Sequence, residues 1–443
     1  MIRRDAISRG PQKTSIGPVT DGKTETTSKP DARAAFRFSA FRDFQFARFC
    51  IVVATEMQAV AVGWQVYEIT KRPLDLGLVG LAQFLPGMLL FLLSGHAADR
   101  FNRRKLLIWC DVGFGFCFAL LLAITLRGSV LIAAIYVVLV LLGVVRSFNA
   151  PVSRALLPQL VPPEHFESSV AWSSSVWQAA SILGPVAGGL VYAVAEKLLR
   201  PGSGPAAVYT LALIAAGAAT FLNARVPDQG TPPADRSAGP FTVFEGLRYI
   251  WREKLILGAI SLDLFAVLLG GAVALLPVYA REILRAGPWA LGILRAAPGV
   301  GAGIMAIAIA HNPLKKRAGA TMLWCVAGFG LCTVIFGTSR SLLVSVLALL
   351  LVGATDMVSV IVRATLIQVA TPDEMRGRVN AVDMIFIGAS NELGQFESGI
   401  TAQWFGTVPA VILGGVGAIV ITGLWAWMFP ELRNVNQLMK REE

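Results

Sequence analysis

The chain has 443 residues, of which 55% are hydrophobic and only 15% are Asp, Glu, Lys or Arg. Soluble globular domains carry roughly 25% charged residues, so a mean hydropathy of +0.63 excludes a soluble enzyme, and apolar runs that are continuous rather than alternating exclude a transmembrane β-barrel. A formal net charge of +11 would suggest nucleic acid in a soluble protein, but the placement of the bases gives it a membrane explanation.

In chain order, residues 1–46 are polar, rich in Lys, Arg, Ser and Thr, and lack the apolar core of a signal peptide; they read as a disordered tail. A membrane helix needs about 20 apolar residues. Hydropathy runs broken by charges or Gly/Pro-rich turns predict helices near 47–68, 76–98, 105–126, 129–149, 168–194 and 205–223. A polar linker, 224–254, is punctuated by Pro227, Gly230, Pro232, Pro233, Gly239 and Pro240. Six more helices follow near 255–280, 288–311, 318–338, 341–366, 378–404 and 407–429, leaving 430–443 as a second tail. The predicted fold is all-α: a polytopic membrane protein with 12 transmembrane helices in two six-helix halves, 47–223 and 255–429. The five cysteines lie inside apolar runs and form neither a disulfide framework nor a metal site.

The bases set the orientation. Thirty Lys and Arg fall in the two tails and the loops after even-numbered helices, against 8 on the opposite side. The positive-inside rule places both termini in the cytoplasm, and the basic excess faces anionic lipid headgroups, so no nucleic-acid partner is needed. The halves also repeat in sequence. The segment from Trp109 to Cys117 matches that from Trp324 to Cys332 at six of nine positions, and the same offset of 215 relates Pro73 to Pro288 and His96 to His311. Arg154-Ala155-Leu156 pairs with Arg363-Ala364-Thr365 at an offset of 209. Two parallel six-helix repeats are the architecture of a rocking secondary transporter.

The turn after helix 2 reads Gly95-His96-Ala97-Ala98-Asp99-Arg100-Phe101-Asn102-Arg103-Arg104. The glycine permits close helix approach, Asp99 can cap a neighbouring helix N-terminus, and Asn102 tolerates a left-handed backbone. The turn resembles the G-x-x-x-D-R-x-G-R-[RK] signature of the major facilitator superfamily, with Asn102 replacing a glycine and Leu314 standing at the repeat position of Asp99. The resemblance implies a conformational latch made of Gly95, Asp99, Arg100, Arg103 and Arg104. Helix 5 contains Gly184-Pro185-Val186-Ala187-Gly188-Gly189, similar to the end of the superfamily's antiporter motif, which leans toward export. Met57-Gln58, the segments 66–70, 82–86 and 160–162, and above all Gly388 through Gly399 resemble the enterobactin-exporter-like, transmembrane secretion effector branch. That branch is associated with proton-driven export of siderophores, macrolides and other amphiphiles.

Ionisable groups inside spans cost about 2.5–3.5 kcal/mol each on insertion scales, so each invites a functional reading. Glu56 lies about 13 Å into helix 1 at 1.5 Å per residue, near mid-bilayer, with Arg146 the nearest partner by depth. Glu56, Asp263, Asp356 and Glu392 are the proton-coupling candidates; Arg146, Arg154, Arg295, Arg363 and Glu397 are candidates for the cavity wall or its gates. The resemblance implies that helices 1, 4, 7 and 10 line the cavity. Glu392 and Glu397 are about 140° apart around a helix and cannot share a face. No phosphate-binding loop of the G-x-x-x-x-G-K-[ST] kind occurs, and His96, His165 and His311 do not cluster, so no nucleotide, cofactor or metal is expected. The leading expectation is a transporter, not an enzyme: a monomeric, proton-coupled exporter of a small amphiphile in the cytoplasmic membrane. The alternatives are a lipid or lysolipid flippase, or another transporter without proton coupling, on the same fold; a non-transporting receptor is a more remote third.

Overall fold

The computed structural model describes residues 34–128, 131–228, 230, 241–312 and 317–435. Most of the expected N-terminal tail, the centre of the linker, Leu314 and the last eight residues lie outside that set. Every regular element described is helical.

The N-terminal half contains α1 (Ser39–Thr70), α2 (Pro73–Leu89), α3 (Phe91–Arg100), α4 (Arg103–Leu126), α5 (Ile132–Leu156), α6 (Phe166–Leu198) and α7 (Gly204–Arg225). After a short helix α8 (Phe241–Arg252), the second half contains α9 (Lys254–Leu269), the single turn α10 (Leu276–Val278), α11 (Pro288–His311), α12 (Ala318–Thr338), α13 (Leu342–Ala370), α14 (Asp373–Phe405) and α15 (Thr407–Met428). Ten of the described helices are long and apolar enough to cross a membrane, and the bent pair α2 and α3 brings the number to 11. The chain is therefore a multi-pass membrane protein. α14 is less apolar than these, its 33 residues including Asp383, Glu392 and Glu397, yet it packs along α2 and α9 within the bundle.

Four departures from the expected boundaries bear on the site. α1 begins eight residues before the expected position, inside the presumed tail. Phe41 and Phe44 are buried there against Leu107, Val152 and Leu156, but the neighbouring Arg42, Asp43 and Gln45 hide that spacing from a hydropathy window. The second span is two helices, with Pro86 in the last turn of the first; its ring removes a backbone donor. The seventh breaks at Gly270-Gly271, where a Cβ on Gly271 would stand 2.6 Å from the Gly394 backbone of α14. Only glycine allows that approach. Finally, α8 is a helix within the presumed linker.

The buried apolar residues divide unevenly along the bundle. At the end away from both termini (the far end), one continuous core joins α1, α4, α5 and α7 to Leu275, Tyr279, Leu291, Phe336 and Val411 of the second half. At the termini end each half has its own core, around Phe41, Leu156 and Val226 in the first and around Ala259, Met322 and Leu366 in the second. Among the described residues, apolar burial thus holds the halves together at one end only.

Candidate transport cavity and gates

Between the halves lies a cavity walled by Thr55, Glu56 and Gln58 of α1, Gln83 of α2, Phe114 of α4, Arg146 of α5, Pro277 of α10, Arg295 of α11, and Glu392 and Gln395 of α14. Each half contributes one acid and one base. Glu56 Oε2 lies 3.7 Å from Arg295 Nε, both side chains keeping somewhat over a quarter of their surface open to the cavity. Gln395 Nε2 donates to Glu392 Oε2 at 3.0 Å. Arg146 faces the same space with no ion-pair partner among the described residues. The pairing differs from the expectation that Arg146 would meet Glu56: the partner comes from the opposite half. With all four groups ionised the site is neutral, and one added proton makes it cationic.

Glycines bring these groups together. A Cβ on Gly184 would stand 2.6 Å from the Cβ of Glu56, and one on Gly188 would stand 2.8 Å from Met57 Cα. On the other side of α6, a Cβ on Gly189 would stand 2.6 Å from Pro288 O, and one on Gly292 would stand 2.4 Å from Pro185 O. The Gly184-Pro185 motif therefore wedges α6 between α1 and α11 beside the Glu56–Arg295 pair. Gln178 Nε2 also donates to Gly299 O at 2.9 Å across the halves.

The far end is tied by side chains that pair across the two halves. Tyr67 Oη donates to Glu282, Arg281 Nη1 meets Glu68 Oε1 at 3.1 Å, and Arg281 lies over the Trp64 ring. A Cβ on Gly399 would stand 3.0 Å from Gly77 Cα, where α14 crosses α2. No local signal marks these pairings, because each joins positions more than 200 apart.

At the termini end the charges are arranged differently. Arg363, with 3% of its side chain exposed, donates to Asp263 and lies 3.5 Å from Asp383. Asp356 is within electrostatic reach of Asp263 and Arg363. None of these four lines the central cavity. Arg154 Nη1 lies 3.0 Å from Met384 Sδ across the halves. Glu397 accepts from Thr401 Oγ1 at 2.6 Å, turned away from the cavity that Glu392 faces.

The latch turn also has a specific arrangement. Arg103 donates to Ala98 O at 3.2 Å and Ala155 O at 2.9 Å, and Arg104 donates to Asn223 O at 3.3 Å and to Ala224 O. Asn102 is not left-handed. Its φ is −60°, and its side chain caps α4 by accepting from Lys105 N, so any extended-backbone residue with a short acceptor fits there. Asp99 and Arg100 are exposed; Asp99 has no partner among the described residues, and a Cβ on Gly95 would meet nothing within 4 Å. The close approach and the cap expected of Gly95 and Asp99 are therefore absent from this conformation: α3 runs on through Arg100, which leaves the capping position to Asn102.

Residues 45–395 match the Major Facilitator Superfamily. The chain belongs to that superfamily. It is 27% identical over 410 residues to the enterobactin exporter EntS of Shigella boydii serotype 4 and of Escherichia coli K12, covering 90% of this chain and 94% of each relative. Its fold is similar to that of the nucleoside transporter NupG (TM-score 0.68, 11% identity, 88% of this chain and 100% of that one). It is also similar to a bacterial homologue of the iron transporter ferroportin in its inward-facing state (TM-score 0.65, 18% identity, 87% and 98%). As a superfamily member the chain is a transporter of small molecules rather than an enzyme.

Proposed function

We propose that this major facilitator protein is a proton-coupled exporter of a small amphiphilic molecule of the siderophore class, working by alternating access from the cytoplasmic membrane. The observation that carries the reading is the cavity in which Glu56 and Arg146 of one half face Arg295 and Glu392 of the other. An ion pair across the rocking interface can be broken by one proton, so protonation alters the energy of one packing of the halves relative to the other. The likeness to the enterobactin exporters supports the substrate class.

In this reading α14 is also a span and brings the number to twelve, and the bases at the termini end place both tails in the cytoplasm. The shared apolar core and the Glu68–Arg281 pair hold the outer end closed, so the conformation faces inward. Glu56 and Glu392 are the coupling acids. Asp263, Asp356, Arg363 and Asp383 brace the inner end of the second half, while Arg154 serves the inner gate and Asp99 with its neighbours the latch. The monomer in its bilayer is the working unit.

The test is reconstitution into proteoliposomes with an entrapped pH dye. Addition of a catecholate siderophore on the side facing the cavity should move protons in the opposite direction to the siderophore. Siderophore movement with no proton movement, at any imposed gradient, would remove proton coupling from the proposal.

A further inference from the structure

Outside the spans, α8 carries an unusual surface. Phe244 is 71% exposed, Leu247 36% and Trp251 72%; at i, i+3 and i+7 they share one face of the helix. Arg248 and Arg252 flank the same hollow and have no ion-pair partner among the described residues. The opposite face is fixed. Ile250 is 1% exposed in a cluster with Ile256, Ile367, Val379 and Val382, and Tyr249 Oη donates to Ala370 O at 3.3 Å. Glu245 meets Arg378 of α14 at 2.5 Å, and a Cβ on Gly246 would stand 2.7 Å from Arg378 O. Only Glu253 separates α8 from the first residue of α9. The helix therefore sits within one turn of the bilayer edge with one face held against the protein and the other uncovered by any described residue.

We infer that α8 is a docking site for anionic phospholipid, with Phe244, Leu247 and Trp251 seated at the headgroup–acyl boundary and Arg248 and Arg252 on the phosphates. The inference rests on the reading above only in placing the termini end at the cytoplasmic leaflet, the anionic one. Aromatic rings with one wet edge favour that depth, and interfacial helices carry this combination of Trp, Phe, Leu and Arg. Charge complementarity selects the occupant: both free charges on the bare face are positive. Because the held face grips the start of α14, which carries Glu392, the docked lipid also fixes the inner end of a cavity-lining helix.

The test is lipid binding by the full-length protein in detergent, read by native mass spectrometry with phosphatidylglycerol and, separately, phosphatidylcholine. Each arginine near a charged leaflet contributes about fivefold in partitioning. Wild type should therefore retain phosphatidylglycerol over phosphatidylcholine, and Arg248→Gln/Arg252→Gln should lower that retention by about 25-fold. Phe244→Ser/Trp251→Ser should weaken retention of both lipids. An unchanged melting temperature in both variants establishes that the fold is intact. Equal retention of the two lipids by wild type, or wild-type retention by the arginine variant, overturns the inference. So does a dimer that Trp251→Ser dissociates, since a second copy would then be the occupant. Siderophore transport measured on the same preparations reports on the transport reading independently of these outcomes.

Discussion

Replacing Glu56 by Gln separates proton coupling from structural support, because the geometry makes the structural cost small. At 3.7 Å and an effective dielectric near 20, the Coulomb attraction between Glu56 and Arg295 is roughly 4–5 kcal/mol before desolvation. Both side chains remain partly open to the cavity, and water-screened pairs retain only about 0.2–1 kcal/mol net. Gln keeps the shape and can still accept from Arg295, but it carries no titratable proton. Glu56→Gln should therefore express and melt close to wild type. Proteoliposomes containing it should lose transport driven by a pH gradient while preserving substrate binding and downhill exchange. A fall in melting temperature comparable to that of a broken buried pair, about 3–5 kcal/mol, would show that the pair is structural. Gradient-driven transport at the wild-type rate in a normally stable Glu56→Gln protein would refute the reasoning outright.

Arg363→Met should destabilise the protein by about 3–5 kcal/mol, because it strands Asp263 and Asp383 in a buried site; adding Asp263→Leu should restore part of the loss, and a wild-type melting curve for the single variant contradicts this. Gly292→Ala places a Cβ 2.4 Å from Pro185 O. The overpacking costs about 1–3 kcal/mol and should shift the halves toward an open far end, read as longer spin-label distances across that end; unchanged distances count against the wedge. Asp99→Asn should leave folding intact, since Asp99 has no partner in this conformation among the described residues, yet slow transport severely by weakening the latch in the other one. Unaltered initial rates sink that expectation. Glu392→Gln should impair transport, whereas Glu397→Gln, which can still accept from Thr401, should be mild; identical phenotypes would contradict their placement on different faces of α14.

Much of the fold is legible in the residues themselves. Continuous apolar runs specify membrane helices because the bilayer leaves no other way to satisfy the backbone. The repeat at offset 215 discloses two halves, and the Asp99 turn identifies the family. Helix existence was readable where composition was extreme. It was not readable at α8, whose 12 residues alternate Arg and Glu with Phe, Leu and Trp, nor at the start of α1.

The partnerships were decided only by the tertiary structure. A soluble helix announces its buried face by its apolar stripe, but a span that meets lipid on one side and protein on the other is apolar all round, so its rotation leaves no periodic trace. Depth along α1 suggested Arg146 for Glu56; the rotation of α1 and α11 around the Gly184 and Gly292 contacts gave Arg295 instead. The same ambiguity concealed the buried Asp263–Arg363–Asp383 network and the Tyr67–Glu282 and Glu68–Arg281 ties. Sequence determines which charges enter the membrane and how deep they lie. Which of them meet depends on how the helices of the bundle rotate against one another, and that is settled by packing between residues far apart in the chain.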